Sequence, residues 1–130
     1  MALDSNIPLR LLLHDDADQL ASIVRFLERH GEEQYWGPDV VWVEVVWTLL
    51  RAARWRPAQI ATALRRVGER ADVVTEDPER FDAAVKALDE SGDFADSLIV
   101  EAARKHGCSC LLSLDHALRK RHPDFVAKLH

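Results

Sequence analysis

Four acidic residues, Asp4, Glu44, Asp96 and Asp115, stand where short apolar runs end or helical segments begin, and a fifth, Asp93, lies three positions before Asp96. Carboxylates gathered in one place repel one another, raise each other's pKa and destabilise a fold unless a cation joins them. Their hard oxygens suit Mg²⁺ or Mn²⁺. Ions held in this way orient a phosphodiester, lower the pKa of an attacking water and stabilise the charge on the leaving oxygen, so hydrolysis of nucleic acid is the chemistry to which these residues point. Taken singly, each acid has a plainer explanation as a helix cap or a solvent-facing side chain. Four at corresponding topological positions weigh against that explanation. The catalytic and metal-ligand candidates are therefore Asp4, Glu44, Asp96 and Asp115, with Asp93 as a secondary candidate on the same helix face as Asp96.

For these acids to meet, strands and helices must alternate. Short apolar or β-branched runs at Ala2 to Leu3, Val40 to Val43, Val73 to Thr75 and Cys110 to Leu114 read as strands, with a last one near Phe125 to Leu129. Between them lie segments of helical period. Asp16 to Arg29 places Leu20, Ile23, Val24 and Leu27 on one face. Pro57 opens a helix through Val67 and Pro78 another through Leu88, while Asp93 reads as the N-cap of a helix reaching His106 and ended by Gly107. Glu44 opens the apolar stripe Val45, Val46, Leu49, Leu50. The alternation predicts an α/β fold, a three-layer α/β/α sandwich with a central, mostly parallel sheet. In such a fold the loops at the carboxyl ends of the strands converge on a crevice where ligands bind, and three of these acids are expected to meet there.

Composition narrows the class. The chain has 130 residues, 48% hydrophobic, and a formal net charge of −5. It reads as one domain over residues 1–130, long enough to bury its own core. No apolar run approaches the roughly 20 residues needed to cross a bilayer, and the opening Met1-Ala2-Leu3-Asp4 does not resemble a signal peptide, so a cytoplasmic protein is expected. The acidic balance argues against tight non-specific binding to duplex DNA, although Arg51, Arg54, Arg56, Arg65, Arg66 and Arg70 form a basic stretch. The run Arg119-Lys120-Arg121-His122 beside Asp115 reads equally as a set of phosphate contacts and as a solvated helix end.

Leu3-Asp4-Ser5-Asn6, Val43-Glu44-Val45-Val46-Trp47, Asp93-Phe94-Ala95-Asp96-Ser97-Leu98-Ile99 and Leu111-Leu112-Ser113-Leu114-Asp115, in that order, resemble the PIN domains of VapC-type toxins. The resemblance spans nearly the whole chain. It implies a Mg²⁺- or Mn²⁺-dependent endoribonuclease, the toxin of a type II toxin–antitoxin pair, commonly dimeric and held inactive by a VapB-type antitoxin. It also implies that Asp4, Glu44, Asp96 and Asp115 form the acidic quartet, with Ser113 a polar residue near the site and Asn6 a supporting hydrogen-bonder. A catalytically silent protein-binding module of the same fold stays open as an alternative, separated by metal-dependent cleavage, and so does a DNA nuclease using the same pocket, because nothing in the motifs reads a 2′-hydroxyl.

Other features invite sharper readings than they carry. His106, Cys108, Cys110 and His116 lack the pairing of common zinc sites, and the two cysteines read better as buried thiols on a core strand. His14-Asp15 reads as helix capping by Asp15 or Asp16 rather than as a metal pair. For Trp42 and Trp47, core packing or a dimer surface is preferred over stacking on bases.

Overall fold

In the computed structural model, which describes residues 1–127 and 129, helices surround short parallel strands. The elements in chain order are α1 (Asn6–Leu13), α2 (Ala17–Arg29), β1 (Tyr35–Gly37), α3 (Asp39–Arg51), α4 (Pro57–Gly68) and β2 (Val73–Thr75). They continue as α5 (Pro78–Ser91), α6 (Ala95–Lys105), β3 (Leu111–Leu112), α7 (His116–Arg121) and β4 (Val126–Ala127). The fold is α/β and has the α/β/α sandwich arrangement. Every strand pairing among the described residues is parallel: Ala2 bridges Trp36, β1 pairs with β2 in the register Trp36 to Val74, and β3 pairs with β4 in the register Leu111 to Val126.

Local chemistry sets most helix boundaries. Asp16 accepts a hydrogen bond from the Gln19 amide and starts α2, and Asp77 does the same for the Arg80 amide at α5. Pro57 and Pro78 occupy first-turn positions, where a missing N–H costs nothing. Gly92 ends α5 with φ +75°, a conformation open to glycine without strain. The helix α1 carries no comparable signal, and Pro8 falls within its first turn, where no intrahelical donor is required of it.

The run Val40 to Val43 is not a strand. It lies inside α3, and the strand of this region is the preceding Tyr35–Gly37. Valine's preference for strands is weak beside burial. Val41, Trp42, Val45, Val46 and Leu49 are buried at helical spacing, so the stripe seen after Glu44 extends one turn toward the N-terminus. Glu44 thus sits in mid-helix rather than at a strand end. The strand expected over Cys110 to Leu114 shrinks to Leu111–Leu112, and both Cys108 and Cys110 are exposed, which corrects their reading as buried core thiols. Of the strand expected over Phe125 to Leu129, Val126–Ala127 forms; Lys128 lies outside the described residues.

The main core joins α3, α4 and α5 through Trp42, Leu49, Ile60, Leu64, Phe81 and Leu88. A smaller core of Val100, Leu118, Phe125 and Val126 fastens α7 and β4 against α6. Trp42 is completely buried, whereas Trp47 is 61% exposed, so of the two readings offered for Trp47 only a surface role fits.

Candidate metal centre

The start of α6 is built by its own acids. The Asp93 carboxylate accepts a hydrogen bond from the Asp96 amide at 3.1 Å, serving one of the helix's free N–H groups from just outside its first turn. This directs the Asp96 side chain from the first turn of α6, where the positive end of the helix dipole tolerates a carboxylate. Asp115 is the N-cap of α7: its Oδ1 accepts from the amides of Ala117 and Leu118. Its own amide donates to Ser113 Oγ at 3.0 Å, so the Ser113 hydroxyl shapes the turn between β3 and α7.

These two helix starts bring Asp93, Asp96 and Asp115 within electrostatic reach of one another. The Asp96 carboxyl is pushed above the ordinary aspartate range, first by burial and then by the charges of Asp93 and Asp115, with Arg121 acting in the opposite sense. Arg121, at the end of α7, is 3.2 Å from Asp93, whose side chain is only 11% exposed.

Asp4 and Glu44 are placed differently. Asp4 follows Leu3, whose amide donates to the Trp36 carbonyl beside β1, so it stands at the carboxyl end of the N-terminal extended segment. Asn6 Nδ2 donates to Asp4 Oδ2 at 3.1 Å. Glu44 is exposed on α3. No hydrogen bond or ion pair among the described residues ties either one to Asp96 or Asp115, and no three His, Cys, Asp or Glu side chains of the described residues are grouped to hold an ion. The donors nevertheless fit a hard divalent cation: they are carboxylates, and burial together with the charges of Asp93 and Asp115 makes a nearby positive charge favourable to Asp96. Mg²⁺ commonly takes one or two protein carboxylates and fills its octahedron with water and phosphate oxygens rather than with a protein cage.

A second polar cluster was not legible in the sequence. At the ends of β1 and β2, Arg80 donates to Asp39 at 2.7 Å, Glu76 at 3.0 Å and Asp77 at 3.3 Å, and Lys105 also donates to Asp77. Asp77, nearly buried, is held below the usual carboxylate range chiefly by Lys105 and then by the Arg80 amide. The cluster ties the starts of α3 and α5 to the end of α6. Pro78 reveals the helix start, but no local spacing reveals that Arg80 reaches Asp39, 41 positions earlier.

The other motifs resolve simply. Asp16, not Asp15, caps α2, and Asp15 lies 3.3 Å from Arg10. No helix among the described residues is long and apolar enough to cross a membrane.

An α/β/α fold with Asp96 at the start of α6 and Asp115 at the start of α7 in electrostatic reach of one another is consistent with a nuclease-type architecture. The PIN domain family model matches residues 1–122, and the chain belongs to the PIN domain family, whose members are generally metal-dependent nucleases. No curated protein and no solved structure gives a significant match.

Proposed function

We propose that this chain is a Mg²⁺-dependent endoribonuclease, with Mn²⁺ able to substitute, and the VapC-type toxin of a type II toxin–antitoxin pair. The observation that carries the reading is the convergence of Asp93, Asp96 and Asp115, which leaves Asp96 with a raised proton affinity and a local need for positive charge. Asp96 and Asp115, whose charges act on one another, are proposed as ligands, and Asp4 and Glu44 complete the proposed quartet. When bound, the ion would lower the pKa of water and stabilise the leaving oxygen. The chain's own residues orient the carboxylates: Asn6 holds one oxygen of Asp4, the α7 amides hold Asp115, and Ser113 fixes the turn before it.

The proposed partners follow the same logic. RNA is the substrate in the cytoplasm. A small VapB-type antitoxin would bring an Arg or Lys to the acidic site, because a guanidinium fork pairs well with carboxylates. An apolar cavity of about 660 Å³, lined by Leu11, Leu12, Leu27, Trp55 and Val67 among others, offers such a protein a place to dock. Val40 and Trp47, 62% and 61% exposed on α3, support a homodimer face.

The test is cleavage of total RNA, with single- and double-stranded DNA beside it, in Mg²⁺, Mn²⁺ or EDTA. Metal-dependent loss of RNA alone is the expected result. Cleavage of DNA in place of RNA selects the DNA nuclease. The Arg121–Asp93 pair, which already neutralises one acid, favours a silent binding module as the second reading. Intact nucleic acid under every condition selects it.

A further inference from the structure

We infer that Arg121 is an internal counter-cation of the acid cluster, pairing with Asp93 so that this carboxylate is withheld from metal binding and the cluster's affinity for divalent ions is lowered. The inference rests on the proposed role of Asp96 and Asp115 as ion ligands.

The helix α7 places Arg121 there. Leu118, buried against Val100, Phe125 and Val126, fixes the helix on α6. Asp115 caps its start and Arg121 is its last residue, so one short rigid element carries both an acid and a cation of the cluster. The neighbouring basic residues do not share the role: Arg119 lies 3.1 Å from His116 Nδ1, and Lys120 is exposed. Arg121 therefore differs from a solvated cation at a helix end; its side chain is 29% exposed and its Nη2 lies 3.2 Å from Asp93 Oδ2.

The pair is not a complete ion pair. Arg121 Nε and Asp93 Oδ2 are buried, and neither makes a hydrogen bond within the described residues. Arginine and carboxylate in their best geometry form two parallel bonds, and a buried pair gains little unless its remaining donors and acceptors are met. This one leaves Arg121 Nε unsatisfied beside the acids. Asp93 Oδ1 accepts from the Asp96 amide, and Oδ2, which has no hydrogen bond among the described residues, faces Arg121 Nη2 at 3.2 Å, so the oxygen left over from the helix start already has a fixed cation beside it. Asp93 is thus a positioning residue. A fixed positive charge beside Asp96 and Asp115 also repels an incoming divalent ion, and it does so with little screening because the pair is largely shielded from water.

The experiment measures Mn²⁺ binding to the full chain through the paramagnetic signal of free Mn²⁺, together with Tm in EDTA and in Mn²⁺. Arg121→Met is expected to lower Tm in EDTA, to tighten Mn²⁺ binding by roughly tenfold, and to enlarge the Mn²⁺-induced rise in Tm. Arg121→Lys, which keeps the charge, should stay near wild type in both. A purely structural Arg121 would lower Tm equally with and without metal and leave affinity unchanged, and that outcome overturns the inference while leaving the nuclease proposal intact. Should Arg121→Met not fold, Asp93→Asn preserves the helix-start hydrogen bond and frees Arg121 over the two remaining acids. Its Mn²⁺ affinity should fall. The Asp93→Asn, Arg121→Gln double variant should recover at least wild-type affinity, and persistent weakness in it identifies Asp93 as a true ligand and overturns the inference. If no form binds Mn²⁺, both the inference and the metal-dependent reading fail.

Discussion

Trp42 Nε1 donates a buried hydrogen bond of 2.9 Å to the carbonyl of Gly37, and the indole lies so close that a Cβ on Gly37 would stand 2.6 Å from its ring. The contact joins the last residue of β1 to the first turns of α3, the helix that carries Asp39 and Glu44. What Gly37 supplies here is room, and a completely buried Trp42 cannot move aside without disturbing Phe81, whose ring it meets edge-on at 5.7 Å.

Gly37→Ala is therefore expected to be destabilising by about 1–3 kcal/mol, the usual range for overpacking a core. Thermal unfolding measures it. Trp42→Phe keeps an aromatic ring but removes the indole donor to the Gly37 carbonyl, at a cost of about 1–3 kcal/mol. A Gly37→Ala protein with wild-type Tm would show that the indole has space to retreat.

Asp96→Asn should separate stability from activity. Because the folded-state pKa of Asp96 is raised, its ionised form is less favourable in the folded chain than in the unfolded one. The resulting stability is present below the unfolded value of 3.8 and is lost as pH rises through the folded value. Above that value the neutral asparagine avoids the penalty, so in EDTA at neutral pH the variant should melt higher than wild type. The difference should close on acidification. Nuclease activity should be abolished in the same protein, and wild-type cleavage under Mn²⁺ would remove Asp96 from the proposed site.

Asp77 behaves in the opposite sense. Its folded-state pKa is lowered by Lys105 and Arg80, so its contribution to stability is present above 3.8 and lost as pH falls through the lower folded value. Asp77→Asn retains a good N-cap for α5 but removes the charge. Its Tm should fall below wild type at pH 7, and the gap should narrow as the pH drops below 3.8. A gap independent of pH would assign the loss to altered capping instead.

Mn²⁺ binds the folded site and not the unfolded chain in the proposed function, so it must raise Tm as its concentration passes Kd. The gain is about 2.7 kcal/mol at a hundredfold excess. Asp115→Asn, which can still cap α7, and Asp4→Asn should both show a smaller gain. An equal gain in wild type and both variants would locate the ion elsewhere.

Expression of the chain alone should arrest growth, and co-expression of a small basic partner encoded beside it should relieve the arrest. Asp96→Asn should be harmless. Arrest of equal strength by wild type and Asp96→Asn would disconnect toxicity from the acid cluster.

The sequence by itself determined the elements whose signals are local. Asp16, Pro57, Pro78 and Gly107 mark helix boundaries through the hydrogen bonds or backbone angles of their immediate neighbours. Asp93 and Asp96 could be placed together from their spacing of three, although the structure joins them by a bond from the Asp96 amide to the Asp93 carboxylate just before the helix rather than on a shared helix face. Tertiary structure decided the rest. The valines at 40 to 43 fit a strand or a helix equally well as isolated residues, and burial of Val41 and Trp42 in the common core with Leu49 chose the helix. Cys108 and Cys110 lie beside a strand, but nothing packs over them. Arg80 with Asp39 and Arg121 with Asp93 join residues 41 and 28 positions apart in the chain. Such pairs are fixed by how helices dock, and docking depends on the whole apolar core rather than on any local spacing.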